Sequence, residues 1–265
     1  MHNRTGDNKD ALGTVRLNRY LAECGVASRR DSDRIIEEGR VTVNGWAAAP
    51  GARIYPGRDE VRLDGKLLEG PRKKVVIAWY KPVGVTCTAR DPHAGRTVTD
   101  AFRTRERLTY AGRLDRDSEG LLIMTNDGGL IDAMMRGANG HEKEYIVRTG
   151  RRISDAGLQH MRKGVYLREL DVTTRPCEIE RLGEYTLRFV LTQGLNNQIR
   201  RMVRCEGSEV KRLKRIRVLN VGLGALKPGE QREVTGAELE ELYRLAGLEG
   251  KSAPAGRKED MRRYG

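Results

Sequence analysis

GRLDRDSEGLL, at residues 112–122, places charged side chains and two glycines directly before a run of apolar residues. An exposed turn does not need a leucine between an arginine and an aspartate, yet Leu114 stands between Arg113 and Asp115. We therefore predict a loop that is anchored by Leu114 and directs a guanidinium and a carboxylate toward a ligand. Residues 121–125 predict a buried strand, because they form a short, largely apolar run that ends at a turn signal.

The residues of this loop allow three interpretations. Asp115, Asp117, Glu119 and Gly120 match the first positions of an EF-hand calcium loop, but the twelfth position is Asn126, where calcium needs a bidentate glutamate. In a structural interpretation, Asp115 closes a turn by accepting backbone N–H bonds. In a catalytic interpretation, its carboxylate acts on a substrate. The missing ligand argues against calcium, and the loop alone does not choose between the other two.

The chain as a whole is strongly basic. Its 265 residues are enough for two domains, and it carries a formal net charge of +13 with 33% charged residues. A surplus of this size indicates a polyanionic partner, either nucleic acid or an acidic membrane surface, and the clustered arginines favour nucleic acid over a charge that serves only solubility. Apolar runs stay far short of the roughly 20 residues that span a bilayer, and no signal-peptide core follows the N-terminus. We therefore expect a cytoplasmic protein.

The cysteines do not indicate a metal site. Cys24, Cys87, Cys177 and Cys205 are widely scattered without a C-x-x-C pair, and the four histidines share no ligand spacing with them. We expect single neutral thiols and no bound metal.

The first structured segment predicts two short helices followed by small strands. Apolar residues between 17 and 24 fall at helical spacing, and Gly25 follows as a stop signal. Ser28 can cap a second helix, with Asp31 three residues later as in a capping box, and Gly39 ends it. Strands are then predicted before an Asn-Gly turn and an Asp-Gly turn, which are typical of hairpins.

Arginines that suit a phosphate contact gather in this segment. A helix N-terminus with arginines beside it forms a phosphate site, although a solvated helix surface is the ordinary alternative. LNRYL at 17–21, GVASRR at 25–30 and GRVTVNG at 39–45 resemble the S4 RNA-binding domain in their order and spacing. The resemblance implies an αL-type fold that grips structured RNA. The candidate RNA contacts are Arg16, Arg19, Ser28, Arg29, Arg30, Arg40 and Asn44.

The pattern changes after a polar linker at residues 69–74. Strands are predicted at 75–80, 121–125, 144–147 and 185–192, and they alternate with helices near Leu130, after Ser154, from Asn196 and over 238–245. No strict β-α-β rhythm is present, so we predict an α+β fold with a mixed, largely antiparallel sheet. The predicted organisation is an S4 domain at 15–70, a catalytic domain at 74–247, and flexible polar or basic tails at 1–14 and 250–265.

Four motifs of this second segment resemble the ribosomal RNA pseudouridine synthases. The loop at 112–122 is similar to the signature of the family, and KPVG at 81–84, EKEY at 142–145 and QIRRM at 198–202 follow the family pattern in order. The wider family prefers threonine where this chain has Ser118, and the hydroxyl is kept. Together with the S4 segment, the resemblance covers nearly the whole chain.

The resemblance implies an isomerase that converts uridine to pseudouridine. The N1–C1′ bond breaks, the base turns, and C5 bonds to C1′. No electrons are transferred, so the reaction requires no cofactor. The resemblance makes Asp115 the catalytic carboxylate, which either attacks C1′ as a nucleophile or removes the 2′ proton to give a glycal. Arg200 is then the positive partner that keeps Asp115 ionised.

Further roles follow from the need to flip the target base out of folded RNA. The resemblance implies that Arg113 fills the vacated space and that Tyr145 stacks on the flipped uracil, and we expect Lys81 of the KPVG motif to contact RNA. Stacking contributes roughly 1–3 kcal/mol, which is comparable with the cost of flipping.

The motif segments around Tyr145 and Arg200 are most similar to the F type among the family members that modify the large ribosomal subunit. That similarity implies a uridine of 23S rRNA near the peptidyl transferase centre, with another rRNA or a tRNA anticodon loop as an alternative substrate, and a monomeric protein. A non-catalytic S4-type ribosome assembly factor is the competing class, but a pure binder needs none of Asp115, Tyr145 and Arg200. A metal-dependent RNA hydrolase would need an acidic or histidine cluster.

Overall fold

A computed structural model describes residues 13–88, 95–104, 106–136 and 140–249. The chain divides into two compact units, Met1–Lys73 and Lys74–Gly265. The predicted N-terminal tail up to residue 12 and the predicted C-terminal tail lie outside the described residues. Over the described ranges, the helices are too short or too polar to cross a membrane.

The first unit combines two helices with short strands. Its elements are β1 (Val15–Arg16), α1 (Leu17–Glu23), α2 (Arg29–Glu37), β2 (Val41–Val43), β3 (Trp46–Ala47), β4 (Arg53–Ile54), β5 (Val61–Leu63) and β6 (Lys66–Leu67). Strands β3, β2, β5 and β6 form an antiparallel sheet in that order, and β1 pairs with β4.

Both predicted helices of this unit are present. Helix α1 buries Leu17, Tyr20 and Leu21 in the core of the unit. Ser28 caps α2, because its hydroxyl oxygen accepts the N–H of Asp31 at 3.2 Å while its O–H donates to the Asp31 carboxylate at 2.6 Å. The Ser28 hydroxyl was predicted to contact RNA, and that contact stays a prediction beside the capping role.

Both predicted turns close hairpins. Asn44 and Gly45 have φ values of 51° and 85°, and Asp64 and Gly65 have φ values of 49° and 79°. Positive φ at both central positions is required by a type I′ turn, whose twist matches the twist of the flanking strands.

Replacing Ser28 by alanine tests the capping role. Ser28→Ala should destabilise the first unit by about 1 kcal/mol, because the N–H of Asp31 loses its acceptor. Thermal unfolding of the full chain by calorimetry measures the effect. The control Ser28→Thr keeps a capping hydroxyl and should stay near wild type. Equal stability of Ser28→Ala and wild type would show that the cap is dispensable.

The second unit is larger and contains the remaining elements. They are β7 (Val76–Lys81), α3 (Val98–Ala101), β8 (Thr109–Ala111), β9 (Glu119–Thr125), α4 (Gly128–Met135), β10 (Lys143–Thr149), α5 (Asp155–Lys163), β11 (Tyr166–Leu167), a 3₁₀ turn (Arg168–Leu170), β12 (Val172–Thr173), β13 (Glu178–Gly183), β14 (Thr186–Leu191), α6 (Gln198–Cys205), β15 (Val210–Val218), β16 (Val221–Gly222), β17 (Gln231–Glu233) and α7 (Gly236–Leu245).

One nine-stranded sheet organises this unit. Its main path is β13-β14-β10-β15-β9-β7-β17, with β8 beside β9 and β16 beside β15. Strands β9 and β15 pair in parallel, and the other neighbours pair antiparallel. Helices α5 and α6 contribute to the core on one face, and α4 and α7 contribute to the core on the other. The predicted α+β fold with a mixed, largely antiparallel sheet is confirmed.

Several short elements of this unit were not predicted, and two differences from the prediction bear on the site. Helix α6 begins at Gln198 rather than Asn196, because Asn197 adopts the left-handed conformation and the Gln198 side chain binds the N–H of Leu195. Strand β15 was not predicted at all. Its sequence VKRLKRIRV contains five lysines and arginines, which hide the alternation expected of a strand.

Candidate active site

The loop at residues 112–118 is fixed to the core through its leucine. The Leu114 side chain is buried, and its N–H donates to the Cys87 sulfur at 3.4 Å. The main-chain carbonyl of Asp115 accepts the N–H of Ser118 at 3.1 Å and closes a turn. The turn therefore uses the backbone of Asp115, and the carboxylate is left on an exposed side chain.

A buried lysine binds the main chain of the loop. Lys81, at the end of β7, is 0% exposed. Its ammonium donates to the carbonyl oxygens of Ser118 at 2.7 Å and Pro82 at 2.9 Å. The next turn adds a further link, because the N–H of Gly84 donates to the carbonyl of Arg116 at 2.8 Å. Lys81 was predicted to contact RNA, and this was wrong, because a fully buried ammonium engaged by two carbonyls does not reach an RNA backbone.

A second buried cation, Arg215 on β15, joins the start of the loop to the strand β9 that follows it. Its guanidinium donates to the carbonyl of Arg113 at 3.1 Å and to that of Leu121 at 2.7 Å. Arg215 had no sequence signal, because the strand that carries it was not predicted.

Arg200 binds the loop backbone rather than the predicted carboxylate. Its guanidinium donates to the Asp117 carbonyl at 2.9 Å, to the Ser118 hydroxyl at 3.4 Å and to the Val210 carbonyl at 3.3 Å. Within the described residues no ion pair joins Arg200 to Asp115. Arg200 therefore reaches from α6 to the two residues that precede β9, and its role as the charge partner of Asp115 stays a prediction.

The second glycine of the motif is required by close packing of the sheet. Gly120 has φ of 105°, and a Cβ at this position would lie 2.2 Å from the Arg215 carbonyl oxygen. Strand β9 therefore approaches β15 more closely than a side chain permits, at the point where the two strands pair in parallel. The same approach brings the Arg215 guanidinium within reach of the loop carbonyls.

The start of β9 is also held on the other side of the sheet. The buried Glu119 carboxylate accepts the Tyr80 hydroxyl at 2.7 Å and forms an ion pair with Arg212. Burial and the Glu119 charge raise the pKa of Tyr80 to about 12. The calcium interpretation needs Glu119 as a ligand, but this carboxylate is already bound to Tyr80 and Arg212.

A cavity of about 400 Å³ opens above the loop, within the size range of small-ligand sites. Asp115, Arg113, Tyr145 and Arg200, which were predicted from separate motifs, all line it. The Tyr145 ring is largely buried on β10 and belongs to the same core cluster as Leu114, the residue that anchors the loop. The exposed Arg113 side chain and the exposed Asp115 carboxylate are free of the core.

Lys143 is a cavity residue that the prediction passed over. Its ammonium donates to the His141 carbonyl at 2.9 Å, and burial, with the nearby Arg215, lowers the pKa of Lys143 to about 8. Lys143 is part of the EKEY motif at 142–145, so the sequence pattern included it, but the prediction gave a role only to Tyr145. A cavity that presents cationic groups beside an exposed carboxylate suits an anionic ligand and leaves the carboxylate available to it.

The predicted RNA contacts of the first unit separate into two groups. Four arginines are exposed on or beside the two helices, namely Arg16, Arg19, Arg29 and Arg30, and Arg19 also pairs with the Glu23 carboxylate at 2.7 Å. Arg40 is exposed but is held by the Asp64 carboxylate at 2.9 and 2.7 Å, which raises its pKa. The Asn44 amide donates to Asp59 at 3.0 Å and accepts the Glu60 N–H at 2.9 Å, so it supports the hairpin, and its RNA contact stays a prediction.

The family model described as RNA pseudouridylate synthase matches residues 75–204, and the S4 domain model matches residues 15–57. The chain is 41% identical over 245 residues to the dual-specificity RNA pseudouridine synthase RluF of Escherichia coli, covering 91% of this chain and 82% of that protein. The chain belongs to the RNA pseudouridylate synthase family.

Other relatives agree with this assignment. Ribosomal large subunit pseudouridine synthase B of Vibrio cholerae is 34% identical over 223 residues, covering 80% of this chain and 69% of that protein. A crystal structure of a pseudouridylate synthase aligns with a TM-score of 0.63 and 27% identity, covering 86% of this chain and 99% of the other. This chain is therefore an isomerase that forms pseudouridine in RNA.

The pKa of Lys81 provides a test of how the loop is held. Burial lowers this pKa from its ordinary value of 10.5 to about 8. Between these values the unfolded chain binds more protons at this position than the folded chain, so its contribution to folding stability rises with pH. Relative to Lys81→Met, the wild type should therefore gain up to about 3 kcal/mol of stability between pH 8 and 10.5.

Urea unfolding of both proteins across this pH range measures the difference. Below pH 8 the difference should be flat, because Lys81 is then protonated in both states. Other groups titrate alike in both proteins and cancel. A difference that falls as the pH rises from 8 would contradict a buried, desolvated ammonium at this position.

Proposed function

We propose that this enzyme converts a uridine of large-subunit ribosomal RNA to pseudouridine and that Asp115 is its catalytic carboxylate. The observation that carries the proposal is the exposed Asp115 side chain, which lines a cavity on a loop whose backbone carbonyls are bound by Lys81, Arg200 and Arg215. Because those cations bind the main chain, they fix the loop without neutralising the carboxylate.

The reaction has a simple atomic balance. The N1–C1′ bond breaks, the base turns within the cavity, C5 bonds to C1′, C5 loses a proton and N1 gains one. The Asp115 carboxylate assists at the sugar, either as the nucleophile at C1′ or as the base that takes the 2′ proton. Arg200, Arg215 and Lys143 line the same cavity and add positive charge that attracts the phosphates of an RNA.

Two further side chains suit the flipped nucleotide. Tyr145 lines the cavity with its ring anchored in the core, so it offers a rigid surface on which a uracil can stack. Arg113 is exposed two residues from Asp115, so it suits the gap that the flipped base leaves in the RNA. Both roles are part of the proposal.

The relatives support the choice of RNA. One relative is named for the large ribosomal subunit and another for dual specificity. We propose 23S rRNA as the main substrate, with the uridine near the peptidyl transferase centre. A tRNA anticodon loop is the second candidate substrate that we propose, and the dual-specificity name of one relative is compatible with two substrates.

Replacing Asp115 tests the proposal. Wild-type protein incubated with unmodified 23S rRNA should form pseudouridine, mapped by chemical modification and reverse transcription. Asp115→Asn should lower the rate at least about 100-fold, because the amide neither attacks C1′ nor accepts the 2′ proton. RNA binding should remain, since the change is isosteric.

The matched control is Asp117→Asn, which changes the neighbouring exposed carboxylate and leaves its main-chain contact to Arg200 in place. This variant should keep a rate of the same order as wild type. Normal activity of Asp115→Asn would make the catalytic assignment wrong, and no pseudouridine from the wild type would remove 23S rRNA as the substrate.

We also propose that the protein acts as a monomer in the cytoplasm. Light scattering of the full chain should give the mass of one copy, 29.8 kDa, across a range of concentrations. A larger mass that does not change on dilution would contradict the monomer.

A further inference from the structure

Trp46 exposes an unusually large part of its side chain. It lies on the edge strand β3 of the first unit and is 81% exposed, whereas Trp79 in the second unit is fully buried. An indole combines a large apolar surface with a polar N–H, and it is ordinarily covered by the core or by a partner. The core of the first unit does not include Trp46.

The backbone that carries Trp46 is held by strand pairing and by hydrogen bonds to the neighbouring segment. Trp46 pairs with Val43 across the hairpin, directly after the type I′ turn. The side chain of Asn44 binds the Asp59 carboxylate at 3.0 Å and the Glu60 N–H at 2.9 Å, which joins the turn to the following segment. The exposed indole therefore projects from a fixed position, so little conformational entropy is lost when it binds.

The joined segment presents a second aromatic ring and a cation. The exposed Arg58 guanidinium lies over the Tyr55 ring, 5.8 Å from its centroid. The Asp59 carboxylate that binds Asn44 also accepts the N–H of Tyr55 at 2.7 Å. One small network thus connects the hairpin of Trp46 with the loop of Arg58. Aromatic rings combined with a cation are typical of surfaces that bind unpaired nucleotides.

The surroundings of Trp46 fit an RNA base better than an apolar protein partner. The other large apolar side chain exposed on this sheet, Leu67, lies on β6 at the opposite edge, and strands β2 and β5 separate the two. The two side chains therefore do not form one apolar patch of the kind that protein interfaces use.

We propose that Trp46 stacks on an unpaired base of the RNA substrate and that Arg58 contacts a neighbouring phosphate. The proposal rests on the proposed function, because it takes a folded RNA as the ligand. It adds a hairpin contact to the helix contacts already predicted for this unit. A stacked indole selects loops or bulges over a continuous duplex, because paired bases do not present a free face.

Intrinsic fluorescence measures this contact directly, since Trp46 and Trp79 are the two tryptophans of the chain. The full-length protein is titrated with a synthetic RNA stem-loop that has an unpaired loop, and with the same stem closed into a continuous duplex. The stem-loop should quench the emission of Trp46, and the duplex should leave it unchanged. In Trp46→Phe, where the buried Trp79 alone remains, the stem-loop should cause no quenching.

Affinity gives the second measurement. Trp46→Ser should raise the Kd for the stem-loop about tenfold, while Trp46→Phe, which keeps an aromatic ring, should stay within about threefold of wild type. Leu67→Ser is the matched control, and it should leave the Kd unchanged. Thermal unfolding should be the same in all variants, because both side chains are exposed.

A Kd for the stem-loop that is unchanged in Trp46→Ser would overturn the proposal. So would a loss of affinity in Leu67→Ser as large as that in Trp46→Ser. The proposal would also be overturned if Trp46→Ser weakened binding of the continuous duplex as much as binding of the stem-loop. The binding assay does not depend on isomerisation. Binding that depends on Trp46 without pseudouridine formation would therefore contradict the proposed function and leave the stacking contact intact. Pseudouridine formation by the wild type, with an unchanged Kd in Trp46→Ser, would support the proposed function and contradict the stacking contact.

Discussion

The ammonium group of Lys81, buried between the carbonyl oxygens of Pro82 and Ser118, is the interaction on which the active site depends. Burying an ammonium costs several kcal/mol unless hydrogen bonds replace its water. Here the acceptors belong to the turn after β7 and to the loop before β9, so one cation ties two segments together. In the same way, the guanidinium groups of Arg215 and Arg200 bind the main-chain carbonyls of Arg113 and Asp117. The loop is thus held by its backbone.

This way of holding the loop has a consequence for catalysis. Three cations satisfy main-chain carbonyls, and the Asp115 carboxylate is left exposed at a cavity that also presents Tyr145. A catalytic group that is positioned before the substrate arrives avoids the cost of ordering it during the reaction. Gly120 contributes to this positioning, because only a residue without Cβ lets β9 approach β15, the strand that carries Arg215. The signature of the loop therefore encodes both its chemistry and its packing.

Local features of the structure were predictable from the sequence, and long-range contacts were not. The cap at Ser28 and the turn at Asn44 depend on nearby residues, so their patterns predicted the correct elements. Asp115, Tyr145 and Arg200 were expected together from a resemblance, and they line one cavity. The partners of Lys81 and Arg200 depend on residues 37 and 83 positions away, and periodicity carries no such information. The charged sequence of β15 concealed Arg215 for the same reason.

The most direct measurement is a crystal structure of the enzyme with an RNA that carries 5-fluorouridine at the target position, where fluorine replaces the C5 proton that the reaction must lose. The account predicts that the loop keeps its carbonyl contacts to Lys81, Arg200 and Arg215. It also predicts the target ring over Tyr145 and the Asp115 carboxylate within bonding distance or about 3.5 Å of the sugar carbons. A target base that stays stacked in the RNA, or a loop that releases these cations and turns Asp115 away from the sugar, would contradict it.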